Sequence, residues 1–130
     1  MEMKILVVDD VLDITDLLEI ELSEHNFHVI SKNSGYDALR YLMENEVDLL
    51  LSDIAMPDMN GFELFSRVQD LKDYLPVILM TGFGYDPNHV VVKSKLAGLK
   101  DVVYKPFNMD KLVTLINKRI AESKDKIYGS

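Results

Sequence analysis

Short apolar runs, each followed by a stretch of helical periodicity, constrain this chain more than any other feature of it. Lys4-Ile5-Leu6-Val7-Val8 is nearly continuous in apolar, β-branched residues, which suits a strand buried on both faces. From Leu12 to Glu24 the period changes. Ile14, Leu17, Leu18 and Leu22 form a stripe at helical spacing, with acidic residues outside it. Phe27 to Ser31 is a weaker strand, less continuously apolar and so expected near an edge. Ser34-Gly35-Tyr36-Asp37 has the form of a capping box and opens a helix to about Glu44. Val47 to Ser52 is a third strand, and Pro57 and Gly61 break the chain before a helix from about Phe62 to Leu71. Pro76 to Met80 is a fourth strand, with proline at its first residue, where a missing amide does least harm. Asp86-Pro87 reads as the cap and first turn of a fourth helix ending near Ala97-Gly98. Val102-Val103-Tyr104 is the fifth strand. Asn108 caps a last helix in which Leu112, Leu115, Ile116 and Ile120 share a face, and Ser123 to Ser130 reads as a polar tail. Alternation of this kind predicts an α/β domain, a parallel sheet with helices on both faces.

At 130 residues the chain is the size of one domain. The absence of cysteine excludes disulfides, thiolate metal sites and a cysteine nucleophile together. With 14 basic against 22 acidic residues the formal charge is −8, a field that repels phosphate backbones and anionic membrane surfaces. No apolar run approaches the ~18 residues that cross a bilayer, and the N-terminus lacks the order of a signal peptide. The expectation is a cytoplasmic protein that binds neither nucleic acid directly nor membrane.

The polar residues fall at the strand ends. The first strand ends in Asp9-Asp10, the third in Asp53, the fourth in Thr81 and the fifth in Lys105. Taken singly each has an ordinary role: an aspartate after a strand caps a helix or forms a turn, Thr81-Gly82 is a turn, and Lys105 is a solvated lysine. In an open α/β sheet, however, the carboxyl ends of parallel strands emerge on one edge, and sites form in the crevice there. Carboxylates ~4 Å apart would repel by about 4 kcal/mol per pair at an effective dielectric near 20. A cation or protons must offset that. Oxygen ligands without His or Cys suit Mg²⁺, and His25, His28 and His89 show no metal-ligand spacing. A carboxylate flanked by a divalent cation, a lysine and a hydroxyl is equipped to accept a phosphoryl group.

The sequence resembles the receiver domain of two-component response regulators. The matching stretches are Ile5 to Asp10, Asp53-Ile54-Ala55-Met56-Pro57-Asp58-Met59-Asn60-Gly61 through Leu64, Thr81-Gly82, and Tyr104-Lys105-Pro106-Phe107, in order after the correct strands. The resemblance covers about residues 3–120. It implies a flavodoxin-like, doubly wound (βα)5 fold with strand order 2-1-3-4-5, with residues 1–122 as the receiver domain and 123–130 as the tail. It implies that Asp53 takes a phosphoryl group from a phosphohistidine on a sensor histidine kinase or phosphotransfer protein. Asp10, Asp53 and the backbone carbonyl of Ala55 would hold Mg²⁺, with Asp9 acting through water. Thr81 would be the switch hydroxyl, Lys105 would pair with the phosphoryl group, and the Lys105–Pro106 bond would be cis. The output would pass to a downstream protein target or an appended output domain. Such a chain is not an enzyme beyond its own phosphoryl uptake and slow autodephosphorylation.

This sequence departs from the family's usual pattern in several places. The aromatic residue usual three positions before the lysine is Val102 here, and Tyr104 directly precedes the lysine. The span from Thr81 to Lys105 is about two residues longer than is common. Ala55 and Phe83 stand where polar groups often position a hydrolytic water, so a fairly long-lived phosphorylated state is expected. Val90-Val91-Val92 offers either a lone exposed valine or an apolar contact surface on the fourth helix. With Met1 so close to the first strand no preceding domain is expected, whereas a following one is open.

Rival readings are weaker. A haloacid-dehalogenase-like phosphatase wants a second acid two residues after its nucleophile, but Leu12 follows Asp10 and Ala55 follows Asp53 at that distance. A flavin carrier needs a hydroxyl-rich phosphate loop after the first strand, where Asp9-Asp10-Val11-Leu12-Asp13 would repel phosphate. A receiver-like interaction module that no longer takes phosphate is the remaining alternative, and the intact acid–threonine–lysine set argues against it.

Overall fold

The computed structural model describes residues 2–82, 99 and 101–128. Five parallel strands form one sheet: β1 (Lys4–Val8), β2 (His28–Lys32), β3 (Leu49–Asp53), β4 (Val77–Thr81) and β5 (Asp101–Tyr104), in the order β2-β1-β3-β4-β5. The doubly wound order expected above is borne out, and the weakly apolar β2 is at an edge. Among the described residues the helices are α1 (Leu12–Ser23), α2 (Gly35–Glu44), α3 (Gly61–Leu71) and α4 (Met109–Tyr128). The helix expected from Asp86 to Gly98, with Phe83, His89 and Val90-Val91-Val92, lies outside the described residues. The last helix runs to Tyr128, so the polar segment from Ser123 continues it rather than leaving it. Among the described residues no helix is long and apolar enough to cross a membrane.

Successive residues of a strand point to opposite faces, and both faces here are apolar. Ile5, Val7, Leu49, Leu51, Ile78 and Met80 pack against α1 and α4 through Leu18, Leu22, Leu112, Ile116 and Ile120. Leu6, Val8, Leu50 and Leu79 pack on the other face against Ala38 and Leu42 of α2 and Leu64, Phe65 and Val68 of α3. Burial on both sides is why these strands read as unbroken apolar runs.

Two helix starts follow the sequence closely. Ser34 Oγ accepts from the Asp37 amide at 3.1 Å, and Asn108 Oδ1 accepts from the Lys111 amide at 3.1 Å. The stripe expected on α1 needs correction. Leu17 is 51% exposed, and Thr15, 1% exposed, takes its place on the buried face with Leu18 and Leu22. A buried hydroxyl is tolerated there because Thr15 Oγ1 donates to the Leu12 carbonyl at 3.0 Å.

Candidate functional site

The chain leaves β1, crosses to the edge strand β2, and returns to β3 on the opposite side of β1. That reversal opens a crevice at the carboxyl ends of β1 and β3, where the helices diverge to opposite faces. Asp9 and Asp10 follow β1, Asp53 ends β3, Thr81 ends β4 and Lys105 follows β5. The structure brings these together. One carboxylate oxygen from each of Asp9, Asp10 and Asp53 lies within 4.8 Å of the others. Lys105 Nζ donates to Asp9 Oδ2 at 3.0 Å and to Asp53 Oδ1 at 3.2 Å, and the Lys105 amide donates to the Thr81 carbonyl at 2.7 Å. The Lys105–Pro106 peptide bond is cis.

Asp9 is wholly buried and Asp53 is 6% exposed, whereas Asp10 is exposed. Burial raises the Asp53 pKa above the usual carboxylate range. The charges of Asp9 and Asp10 add to that rise, and Lys105 opposes it. Burial works against the charge of Lys105, but its hydrogen bond to Asp9 and the charges of Asp53 and Asp9 outweigh it, so its ammonium titrates above its ordinary value. Asp9 also serves the ordinary turn role: its Oδ1 accepts from the Val11 amide at 3.0 Å. The N-cap of α1 is Val11, which has no side-chain cap.

The loop after β3 is shaped by close packing. The Gly61 amide donates to the Ile54 carbonyl at 2.9 Å. A Cβ on Gly61 would stand 2.6 Å from the Asp53 carbonyl oxygen and 2.8 Å from Ile54 Cα, so the start of α3 presses on the strand end that carries Asp53. Asp58 turns the loop in the left-handed region, at φ 67°, and Asn60 Oδ1 caps α3 by accepting from the Glu63 amide at 3.0 Å. Ala55 is exposed in this loop.

Thr81 Oγ1 is buried with no hydrogen-bond partner among the described residues. A buried hydroxyl without a partner costs about 1–3 kcal/mol, so its position is not one that packing alone selects. The donor set fits a hard divalent cation: carboxylate oxygens only, two of them buried, with the exposed Asp10 leaving a side open to water. Val102 is partly buried against the α2–α3 face, and Tyr104 is 44% exposed.

Sequence reasoning missed several contributors. Asn33 Nδ2 donates to the Asp9 carbonyl at 2.8 Å and to Thr15 Oγ1 at 3.3 Å. Ser52, wholly buried, donates from Oγ to the Asp53 carbonyl at 3.0 Å. Asn33 directly follows β2, so the strand-end rule that found Asp9 and Asp53 would have found it too. Thr15 carries no such signal, since only packing against the sheet puts it on the buried face of α1.

The family model for the response regulator receiver domain matches residues 5–117. The transcriptional regulatory protein GlrR of Escherichia coli K12 is 32% identical over 119 residues, which cover 92% of this chain and 26% of GlrR. The regulatory protein VanRc of Enterococcus gallinarum is 32% identical over 120 residues, 92% of this chain and 51% of VanRc. The chain thus spans a quarter to a half of these relatives. Among solved structures, a CheY-like receiver domain protein from Methanospirillum hungatei JF-1 superposes with a TM-score of 0.88 at 28% identity, covering 97% of this chain and 99% of that one. With the acids, the threonine and the lysine gathered on one sheet edge and this match running through all five strands, the chain belongs to the response regulator receiver domain family.

Proposed function

We propose that the chain is a phosphoacceptor, in which Asp53 takes a phosphoryl group from a phosphohistidine of a sensor histidine kinase or a phosphotransfer protein. The observation that carries this reading is an imbalance of charge. Among the described residues, three carboxylates within 4.8 Å of one another are met by one ammonium, that of Lys105 on Asp9 and Asp53, beside a buried hydroxyl that has no partner.

An Asp53 carboxylate oxygen attacks phosphorus in line. The P–O bond forms as the P–N bond to the imidazole breaks, and the imidazole leaves with the electron pair. Lys105, already on Asp53 Oδ1 at 3.2 Å, transfers its hydrogen bond to a phosphoryl oxygen with little movement. Thr81 supplies a second donor from its buried hydroxyl. Bound Mg²⁺ supplies charge neutralisation for the acids and the incoming group. Asp10, Asp53 and the Ala55 carbonyl would hold it directly. Asp9 would act through water, because Lys105 and the Val11 amide already engage its oxygens.

The chain carries no glycine-rich nucleotide cradle, so the phosphoryl group arrives on the donor. The product is a mixed anhydride open to hydrolysis, and the chemistry is confined to the chain's own aspartate. The receiver unit includes the last helix as far as Tyr128, beyond the boundary at 122 expected from the sequence. The output passes, in the cytoplasm, to a downstream protein or to an output domain of a longer chain. Incubation with Mg²⁺ and acetyl phosphate, read by intact mass, tests the reading. One phosphate mapped to Asp53 and none on Asp53→Asn is expected. Equal uptake by Asp53→Asn, or none by wild type at any Mg²⁺ concentration, overturns it.

A further inference from the structure

We infer that Asn33 is a positioning residue for the metal-holding acids: from the loop after β2 it fixes the Asp9–Asp10 peptide, and Thr15 of α1 anchors it in turn. This rests on the phosphoacceptor reading above.

Asn33 Nδ2 places one hydrogen on the Asp9 carbonyl at 2.8 Å and the other on Thr15 Oγ1 at 3.3 Å. The orientation of the amide is set by its partners. A carbonyl can only accept, and the Thr15 hydroxyl proton already goes to the Leu12 carbonyl at 3.0 Å, so both partners call for a donor.

Asp10 is the exposed member of the acid trio, at the point where the chain has left the sheet. Its direction follows from the two peptides that flank it. The Asp9–Asp10 peptide is held at its oxygen by Asn33. The Asp10–Val11 peptide is held at its nitrogen by Asp9 Oδ1, at 3.0 Å. Each peptide is planar, so fixing one atom of each restricts where the Asp10 carboxylate points. Asn33 therefore sets the aim of an acid it does not touch, and through Thr15 it ties that aim to α1.

The test is Mg²⁺ affinity of the metal-free full chain, by isothermal titration calorimetry, for wild type, Asn33→Ala, Thr15→Val, Thr15→Ser and the double variant Asn33→Ala/Thr15→Val. Groups that orient metal ligands typically contribute 10–100-fold to affinity, so Asn33→Ala is expected to bind about tenfold more weakly. Thr15→Val loses less, Thr15→Ser matches wild type, and the double variant is no weaker than Asn33→Ala. In acetyl phosphate reactions the Mg²⁺ concentration at half-maximal rate rises by the same factor, and the rate at saturating Mg²⁺ stays at the wild-type value. A folded Asn33→Ala that binds Mg²⁺ as wild type does, or that stays slow at saturating Mg²⁺, overturns the inference. If Asn33→Ala does not fold, the Thr15 pair decides, and equal affinities in Val and Ser variants overturn it. A wild-type chain that binds Mg²⁺ but takes no phosphate instead sinks the phosphoacceptor reading while leaving the affinity test of Asn33 intact.

Discussion

The two edges of the sheet use the same residue types to opposite ends. At the edge where the strands begin, acids and bases pair off. Lys72 Nζ donates to Glu46 Oε1 at 2.9 Å and Tyr74 donates to Glu46 Oε2 at 2.9 Å. Lys124 donates to Asp48 Oδ1 at 3.2 Å, and Arg119 grips Asp101 and Glu122. The hydrogen bonds from Lys72 and Tyr74 hold Glu46 below the usual carboxylate range, and its neighbours hold the Arg119 guanidinium above its ordinary value. At the edge where the strands end, Asp9 and Asp53 share Lys105 while Asp10 crowds them, and burial raises Asp53 instead. Pairing lowers a carboxylate's pKa, while burial among like charges raises it. The first edge is therefore a clasp, complete as it stands, and the second is a site that a cation and an anionic group would complete.

Removing the lysine should break the comparison most sharply. In metal-free protein Lys105→Met leaves Asp9 buried without its cation, and roughly 3–5 kcal/mol of stability should be lost. Urea unfolding measures it, and saturating Mg²⁺ should recover part of the loss. A cost below that of a basal pair would show the two edges to be alike.

Gly61→Ala comes next. The added Cβ meets backbone at 2.6 Å, which flexible side chains cannot relieve. About 1–3 kcal/mol should be lost, with slower phosphate uptake because the strand end that carries Asp53 shifts. Gly82→Ala is the control, since a Cβ there has nothing within 4 Å among the described residues.

Asp53→Asn should move stability the other way. Because the folded-state pKa of Asp53 is raised, the folded chain binds more protons than the unfolded chain between the ordinary carboxylate pKa and the raised one. Stability then falls as pH rises through that window. The amide removes this loss, so the metal-free variant should exceed wild type in stability at pH 7. The difference should vanish toward pH 3. Thermal melts across pH check it, and a wild type as stable as the variant at pH 7 contradicts it.

The smallest effect belongs to the clasp. The Glu46 side chain is 71% exposed, so Glu46→Gln should cost less than about 1 kcal/mol, less still in high salt. Chemical denaturation at two ionic strengths would show it, and a salt-independent loss would mean that Glu46 does more than pair.

Much of this was legible in the residues. Strands buried on both faces are apolar along their buried stretch, so Ile5 to Val8 and Leu49 to Leu51 announce themselves, and chain direction alone places Asp9, Asp53, Thr81 and Lys105 on one edge. What stayed hidden depends on the third dimension. Leu17 and Thr15 trade places because a helix shows its neighbours an arc, and only packing against the sheet selects which arc is buried. The Asn33–Asp9 hydrogen bond joins residues 24 apart in sequence, and nothing in either residue names the other. The same holds for charge: composition counts acids and bases, but only the folded arrangement decides which acids are paired and which are crowded, because electrostatic energy depends on distance and burial rather than on number.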